Sequence, residues 1–409
     1  MDWKKIGIIV LFVAAAGLFA FFLYWFFWRP IFAPRADKNA NVNQPGQLPG
    51  AININGRIYT TNINGGLPPG VNLNNAAEVA EILTRPATQI VKAEVVTKDP
   101  AYFAAPTGVG EFVYYNPTDG KFYRVSANGA VSAFSDKIFK NVSNVTWSNS
   151  RDKAVLEYPD GAKIVYDFET KKQITLPKHW EEFSFSPNDS QIAFKSIALD
   201  PENRFLAVAK YDGTQSKTLE EIGGFEDQFQ TEWSPNNQMV GTFTEGKDAD
   251  RSNVYFIGQN NENFKLMLVE GRGFQSEWSP TGDKMVYSVY NSGNDFKPTL
   301  WVADTSPDRI GDNRHSLGLD TWADKCAFAG NNTVYCAVPT SLPYGAGVQP
   351  LVASTIADEI YEINLSTGMR RLVATPDGNH TISQIFVSDS SNEIFFQDMN
   401  NQRIYRIQP

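Results

Sequence analysis

From about residue 90 to the C-terminus, short apolar runs alternate with small polar turns. The stretch SEWSPTGDKMVYSV at 276–289 shows the unit. Ser279, Pro280, Thr281 and Gly282 suit a type I turn, with Pro pre-set at the second position and Gly last. The run that follows carries Met, Val and Tyr, residues that fit a pleated, half-buried surface. The stretch predicts a β-hairpin, and the hairpin recurs. TEWSPNNQMVGTFT at 231–244 repeats it closely, and FSFSPNDSQIAFKS at 183–196 puts Phe185 where the others have Trp. VTWSNSRDKAVLEY at 145–158 keeps Trp147 and lacks the Pro, while CAFAGNNTVYCAV at 326–338 and QIFVSDSSNEIFFQD at 384–398 are weaker copies.

The aromatic position of these copies falls at 147, 185, 233, 278, 328 and 386, so the steps are 38, 48, 45, 50 and 58 residues. Most lie near the roughly 40 to 50 residues of a four-stranded propeller blade. Segments such as AKIVYDFETKKQITL, NVYFIGQ, TLWVADT and EIYEINLSTGMRRLV add strands between the hairpins, so each unit reads as a hairpin plus two more strands. Blades stack face to face around an axis, which accounts for strands that are apolar on both sides. The expected fold class is all-β, a β-propeller of four-stranded blades over 87–409, with seven blades favoured and six or eight as the neighbouring counts. EFVYYNPTDGKFYRVSANGAVSAF at 111–134 looks like the later strands of a blade upstream of the first motif. Only QRIYRI follows the last motif, so the final blade is one strand short, and TQIVKAEVVT at 88–97 is expected to close the ring by pairing with it.

WSPTGDKMVYS and FSPNDSQIAFKS resemble the TolB-type, WD40-like β-propeller repeat of bacterial proteins, whose unit runs aromatic-Ser-Pro-Asp-Gly-Lys-x-apolar-Ala/Val-Tyr/Phe. The best matches are 185–194, 233–243 and 278–287, and the Gly-His and Trp-Asp signature of eukaryotic-type WD40 repeats is absent. The resemblance covers roughly residues 100 to 409 as a repeat pattern and implies an extracytoplasmic setting. It speaks for fold and little for activity, because propellers host many activities.

The N-terminal pattern is different. After a short tail at 1–5, an uncharged run starts at Ile6 and ends at Trp28. As a helix, 6–28 is about 34 Å long, enough to cross a bilayer, and the aromatic cluster that closes it suits a membrane interface. A cleaved signal peptide would have a shorter apolar core and small residues before the cut. Residues 6–28 therefore read as an uncleaved transmembrane anchor, and the membrane as a partner. Lys4 and Lys5 on one side are balanced by Arg29, Arg35 and Lys38 on the other, so flanking charge leaves the orientation open. Residues 29–73, rich in Asn, Pro and Gly, read as a flexible linker of about 35 to 40 Å end-to-end span, and 74–86 as a short helix ended by Pro86.

The net charge of −9 excludes the basic face that nucleic acid requires, so no nucleic-acid partner is expected. Histidines are few (His179, His315 and His380), none stands in a metal-ligand spacing, and no G-x-S-x-G elbow occurs. No catalytic motif, cofactor motif or metal ligand set is read, and the expectation is a protein that is not an enzyme. His315 stands out among the histidines for its polar loop. KDADRSN at 247–253 alternates acids as calcium loops do, but without their Gly and distal Glu.

Two features read as binding elements. Glu232 and Glu277 each precede the motif Trp in successive units, so both carboxylates are expected near one another around the axis, where a pair could hold a cation. The uncharged stretch PTSLPYGAGVQPLVASTIA at 339–357 is long for a loop without a function, and its Leu342, Tyr344 and Leu351 are expected to form an apolar lip over one end of the propeller. Cys326 and Cys336 flank the turn around Asn331 and pair across a hairpin centred there, at a separation a disulfide tolerates. Such a bond belongs in an oxidising compartment. Two buried thiols are the plainer alternative.

Together these point to a single-pass protein of the cell membrane, its propeller extracytoplasmic and held on a stalk, binding a protein, peptide or glycan at the cell envelope. Two rivals remain: an envelope hydrolase with its site in the axial funnel, and a cytoplasmic-facing scaffold. Buried, pKa-shifted carboxylates or histidines in the funnel would favour the hydrolase, and Asn, Ser and aromatic residues would favour binding.

Overall fold

The computed structural model describes residues 18, 52–54, 57–59, 90–108, 111–126, 129–387 and 393–409. The expected helix at 74–86 lies outside these residues, and so does the anchor at 6–28 apart from Leu18, which is helical. Among the described residues no helix is long and apolar enough to cross a membrane. Within the stretch read as linker, Ile52–Ile54 and Arg57–Tyr59 pair as a small antiparallel hairpin.

The rest is a seven-bladed propeller. Each blade is an antiparallel meander whose first strand is innermost. Blade 1 starts at Tyr102–Gly108, blade 2 at Asn144–Trp147, blade 3 at Trp180–Phe185 and blade 4 at Phe229–Thr231. Blade 5 starts at Arg272–Trp278, blade 6 at Cys326–Phe328 and blade 7 at Ile382–Phe386. The extra blade read from 111–134 is blade 1.

Ring closure follows the sequence expectation with one difference. Two short strands stand within 90–97 instead of the single one expected over 88–97. Glu94–Val95 is the outer strand of blade 7, antiparallel to Ile404–Ile407. Ile90–Val91 runs parallel to Met369–Pro376 and adds a fifth strand to blade 6. Asp377 separates the two roles, because its carboxylate accepts from Ala93 N at 2.5 Å and its N–H donates to the Val91 carbonyl. The closure is reinforced where Ile404 N donates to Thr97 Oγ1 at 3.0 Å and Arg406 pairs with Glu94 at 2.9 Å.

The core is divided among the blade interfaces, and every one of the seven has its own apolar cluster. Phe122, Phe139 and Val145 join blades 1 and 2; Val155, Phe185 and Phe194 join 2 and 3; Leu206, Phe229 and Trp233 join 3 and 4. Val254, Trp278 and Met285 join 4 and 5; Val286, Leu300 and Val334 join 5 and 6; Ile360, Ile385 and Phe396 join 6 and 7. Phe112, stacked on Phe386, joins 7 back to 1. Strands with both faces buried are what this division demands.

The W-S-P turn has a physical reason for its Ser. Ser148, Ser186, Ser234 and Ser279 are all buried, and each hydroxyl accepts the backbone N–H five residues on, at 2.9–3.1 Å. The same Ser carbonyls accept the N–H three residues on and close the turn. The hydroxyl thus satisfies a donor that the tight turn would leave unpaired. Blade 6 has Ala329 at this place and no hydroxyl to offer; its turn is one residue shorter, with Ala329 N donating to Thr333 O where the Ser turns have the Ser N–H donating to the carbonyl five residues on.

Candidate functional site

The meander sorts the loops by end. W-S-P turns all lie at one end of the propeller, whereas loops joining second to third strands, and loops joining one blade to the next, lie at the other. The 339–357 insertion joins the second and third strands of blade 6, Thr333–Pro339 and Asp358–Asn364, so it stands at the second end.

There it is firmly seated. Its backbone donates from Gly345 N to Asp295 O and from Gly347 N to Phe296 O, both at 2.8 Å, onto the neighbouring loop of blade 5. Tyr344 meets Phe296 edge-on at 5.7 Å. Trp322, Ala346 and Ala353 form a small core beneath it, with Leu342 and Ile356 packed against it. Gly347 permits the approach, since a Cβ there would come within 2.5 Å of Tyr290 Cβ. Of the expected lip residues, Leu342 turns inward, while Tyr344 and Leu351 are exposed, the latter at 80%. Val348 and Val352 join them as an apolar tip.

Beside this wall lies a cleft of about 510 Å³ spanning blades 4, 5 and 6. Its lining combines aromatic and apolar groups (Phe274, Tyr290, Trp322) with amides and hydroxyls (Gln230, Gln275, Thr244) and two charged side chains, Asp227 and Arg272. Blade 5 is shaped for it by a bulge between Arg272 and Gln275, with Gly273 at φ +65°. A side chain at 273 would be strained and would meet Tyr290 Cε1 at 2.4 Å. Two buried oxygens on the lining, Gln275 Oε1 and Thr244 Oγ1, have no hydrogen-bond partner within the protein.

Below the cleft the carboxylates gather. Alternation along the inner strands puts Gln230 with Glu232, and Gln275 with Glu277, on the axial face, while Trp233 and Trp278 turn into the blade interfaces. Ser276 Oγ donates to Glu232 Oε2 at 3.0 Å, and the indole N–H of Trp278 is directed at the same carboxylate without closing to hydrogen-bond geometry. Asp324 enters from blade 6 on the short turn Ala323–Lys325, which packs between the inner strands of blades 5 and 7. Burial pushes the Glu232 carboxyl up to about 7, against the pull of the Ser276 and Trp278 donors. Burial, then the charges of Glu232 and Asp324, push Glu277 up to about 8. Asp324 is also raised, by burial. Glu232 and Glu277 are half-buried and Asp324 exposed, so the three reach the solvent of the channel while protein crowds them closely enough to oppose their charge.

Lys325, next to Asp324 in the chain, does not neutralise them. Lys325 Nζ is held by both Asp358 oxygens at 2.6 and 2.7 Å, and Asp358 also accepts from Ile382 N. Among the described residues no three acidic, His or Cys side chains converge as ligands of one metal ion.

Other sequence candidates have local roles. Asp248 pairs with Arg251, and Asp250 accepts from Ser292 N and Oγ, which ties the 247–253 loop to blade 5. His315 is exposed, with Nδ1 2.8 Å from Asn313 O. His380 pairs with buried Asp398 at 2.8 Å, against the Tyr405 ring. Cys326 and Cys336 are opposed in register and disulfide-bonded.

No protein-family profile matches the chain, and neither does any curated protein sequence. Solved structures do share the fold. A prolyl endopeptidase is similar over 77% of this chain and 50% of its own, with 11% identity and a TM-score of 0.50, so the chain spans half the length of that enzyme. An oligogalacturonate lyase in complex with manganese is similar over 78% of this chain and 90% of its own, at 12% identity and TM-score 0.46. TolB from Acinetobacter baumannii is similar over 74% and 71%, at 12% and 0.43. These likenesses are of fold alone, and enzymes and non-enzymes share it.

Proposed function

We propose that this protein is a membrane-anchored, extracytoplasmic binding module of the cell envelope. The run 6–28 fixes it in the membrane, the stretch that follows sets its reach, and the end of the propeller bearing the 339–357 insertion recruits a protein, peptide or glycan. The observation that carries the reading is the cleft itself: a preformed hollow with aromatic walls, buried polar atoms free to bond, and a rigidly seated wall with an apolar tip. The Cys326–Cys336 bond supports an oxidising compartment and weighs against the cytoplasmic-facing scaffold.

Affinity capture from envelope extracts tests the reading, with the full-length chain compared against Tyr344→Ser/Leu351→Ser. A partner retained by the first and lost by the second supports it. Equal retention by both, or none by either, contradicts it. Full-length protein should also stay with membranes through carbonate extraction, and a mature N-terminus downstream of Trp28 would remove the anchor.

One observation favours the hydrolase as a second reading. Glu232 and Glu277 titrate near neutrality in the channel, where one carboxyl can hold a proton while another has lost it. Turnover of an envelope polymer that Glu277→Gln abolishes would establish it.

A further inference from the structure

The cleft and the channel beneath it share their inner wall. Gln230 and Gln275 line the cleft, and Glu232 and Glu277 follow two residues later on the same strand face, about 7 Å deeper. The carboxylates do not line the cleft itself, but a ligand extending about one strand repeat past the amides would reach them. Among the described residues none of Glu232, Glu277 and Asp324 makes an ion pair, and Lys325 is committed to Asp358. The carboxylates therefore have no cationic side chain paired with them, and the one arginine of the cleft lining, Arg272, donates to the Asp248 carbonyl at 2.9 Å. Two further observations bear on what should fill the site. Gln275 Oε1, on the cleft wall, is an acceptor with no donor inside the protein, and the indole N–H of Trp278, a residue only 7% exposed, is aimed at Glu232 and has no partner of its own. A bare metal ion does not suit, since the three carboxyls do not converge as its ligands. A larger cation with several N–H donors, able to reach separated carboxylates, does.

We infer that the cleft and channel form a binding site for an alkylammonium or guanidinium group, whose nitrogen donates to Glu232 and Glu277 with Asp324 alongside, and whose carbon chain lies against Tyr290 and Trp322. The inference rests on the binding-module reading and deepens it. The chemistry has two sources, a free polyamine or a Lys or Arg side chain on a peptide. The aliphatic part of either fits the aromatic wall, and cations sit well on such rings: Lys325 already lies 5.9 Å from the Trp322 ring.

The test is calorimetric titration of the full-length protein in mild detergent at pH 8 and about 150 mM salt, an ionic strength that screens the net negative charge. The probes are spermidine, the peptide Ac-Leu-Ser-Lys-Ser-Leu-amide and its counterpart with Gln for Lys. Saturable binding of spermidine, the Lys peptide or both is expected, with the Gln peptide at least about tenfold weaker, as the loss of a charged hydrogen bond implies. Glu232→Gln/Glu277→Gln should lose about tenfold or more towards whichever probe binds. Stronger binding of spermidine identifies the free amine as the source, and stronger binding of the Lys peptide identifies a side chain. Equal binding of the Lys and Gln peptides, affinity unchanged in the double variant, or no binding of either amine overturns the inference. Failure of the two readings is separable. If the double variant still captures the envelope partner as the parent does, the cation site is wrong and the module stands; if no partner is captured while amines bind, the reverse holds.

Discussion

Ser276 Oγ donates to Glu232 Oε2 at 3.0 Å, a bond from blade 5 to blade 4 on the wall of the axial channel. Among the described residues it is the one hydrogen bond that holds the Glu232 carboxylate, and Glu277, in the equivalent place on the next blade, has no matching donor. The difference between the two carboxyls, about 7 against about 8, follows: Glu232 is pulled back by donors, while Glu277 meets burial and like charge.

Stability should depend on pH through this pair. A carboxyl whose pKa is higher in the folded chain than in the unfolded one holds its proton longer when folded, so stability falls as pH rises from the unfolded value of 4.5 to the folded one and is level above it. Glu277→Gln should therefore raise the thermal midpoint at pH 8.5 and leave it nearly unchanged at pH 4.5. Scanning calorimetry of parent and variant at both pH values checks this, with Glu232, Asp324 and Lys325 as the other charged groups nearby. A midpoint lowered by Glu277→Gln at pH 8.5 would mean the charge is already compensated.

Trp278→Ala should destabilise by about 3 to 5 kcal/mol, the cost of emptying a large aromatic site in a packed core. Trp278 sits in the blade 4–5 cluster with Met239, Val254 and Met285. Denaturant unfolding of the parent and variant gives the difference, and an unchanged midpoint would contradict the packing.

Ser279→Ala tests the turn. It removes the acceptor of Lys284 N and the donor to Asp283 Oδ1, and should cost about 1 to 3 kcal/mol because a buried donor is left unpaired. Ser279→Thr, which keeps the hydroxyl, should recover part of the loss. Equal destabilisation by both substitutions would assign the effect to sterics.

The Cys326–Cys336 bond should be present in protein taken from native membranes. Alkylation before reduction, read by mass spectrometry, should leave both cysteines unlabelled. Cys326→Ser/Cys336→Ser should cost roughly 2 to 3 kcal/mol, since the closed loop is short. Two alkylated thiols would place the propeller in a reducing compartment.

The repeat was legible because each blade buries both faces of its strands and closes its first hairpin around one Ser, and both demands leave marks in the sequence. Blade 1 lacks the motif and was readable only as leftover strands, yet the strand shortfall at the C-terminus was enough to require 88–97 as the closing piece. The split of that piece into Ile90–Val91 and Glu94–Val95 was not readable, because the carboxylate of Asp377 causes it from far along the chain. Near the cleft, Glu232 and Glu277 were found from their place before the motif Trp. Their companions Gln230 and Gln275 were overlooked, although FQTEW and FQSEW repeat them in register, two residues before each Glu. Asp324 left no such signal: its repeat has drifted, and only folding brings its turn to the axis. Leu342 turned inward because Trp322, distant in sequence, offers it a core.

The central claim is that the insertion-bearing end of the propeller meets a partner at the membrane. Photocrosslinking in native membranes tests it most directly, with a photoreactive residue placed in the full-length chain at Leu351 or, at the opposite end, at Asn237. Both positions are exposed, and Asn237 lies in a W-S-P turn. The account predicts a discrete adduct from position 351 and none from 237. Adducts from 237 alone, or from neither position, would contradict it.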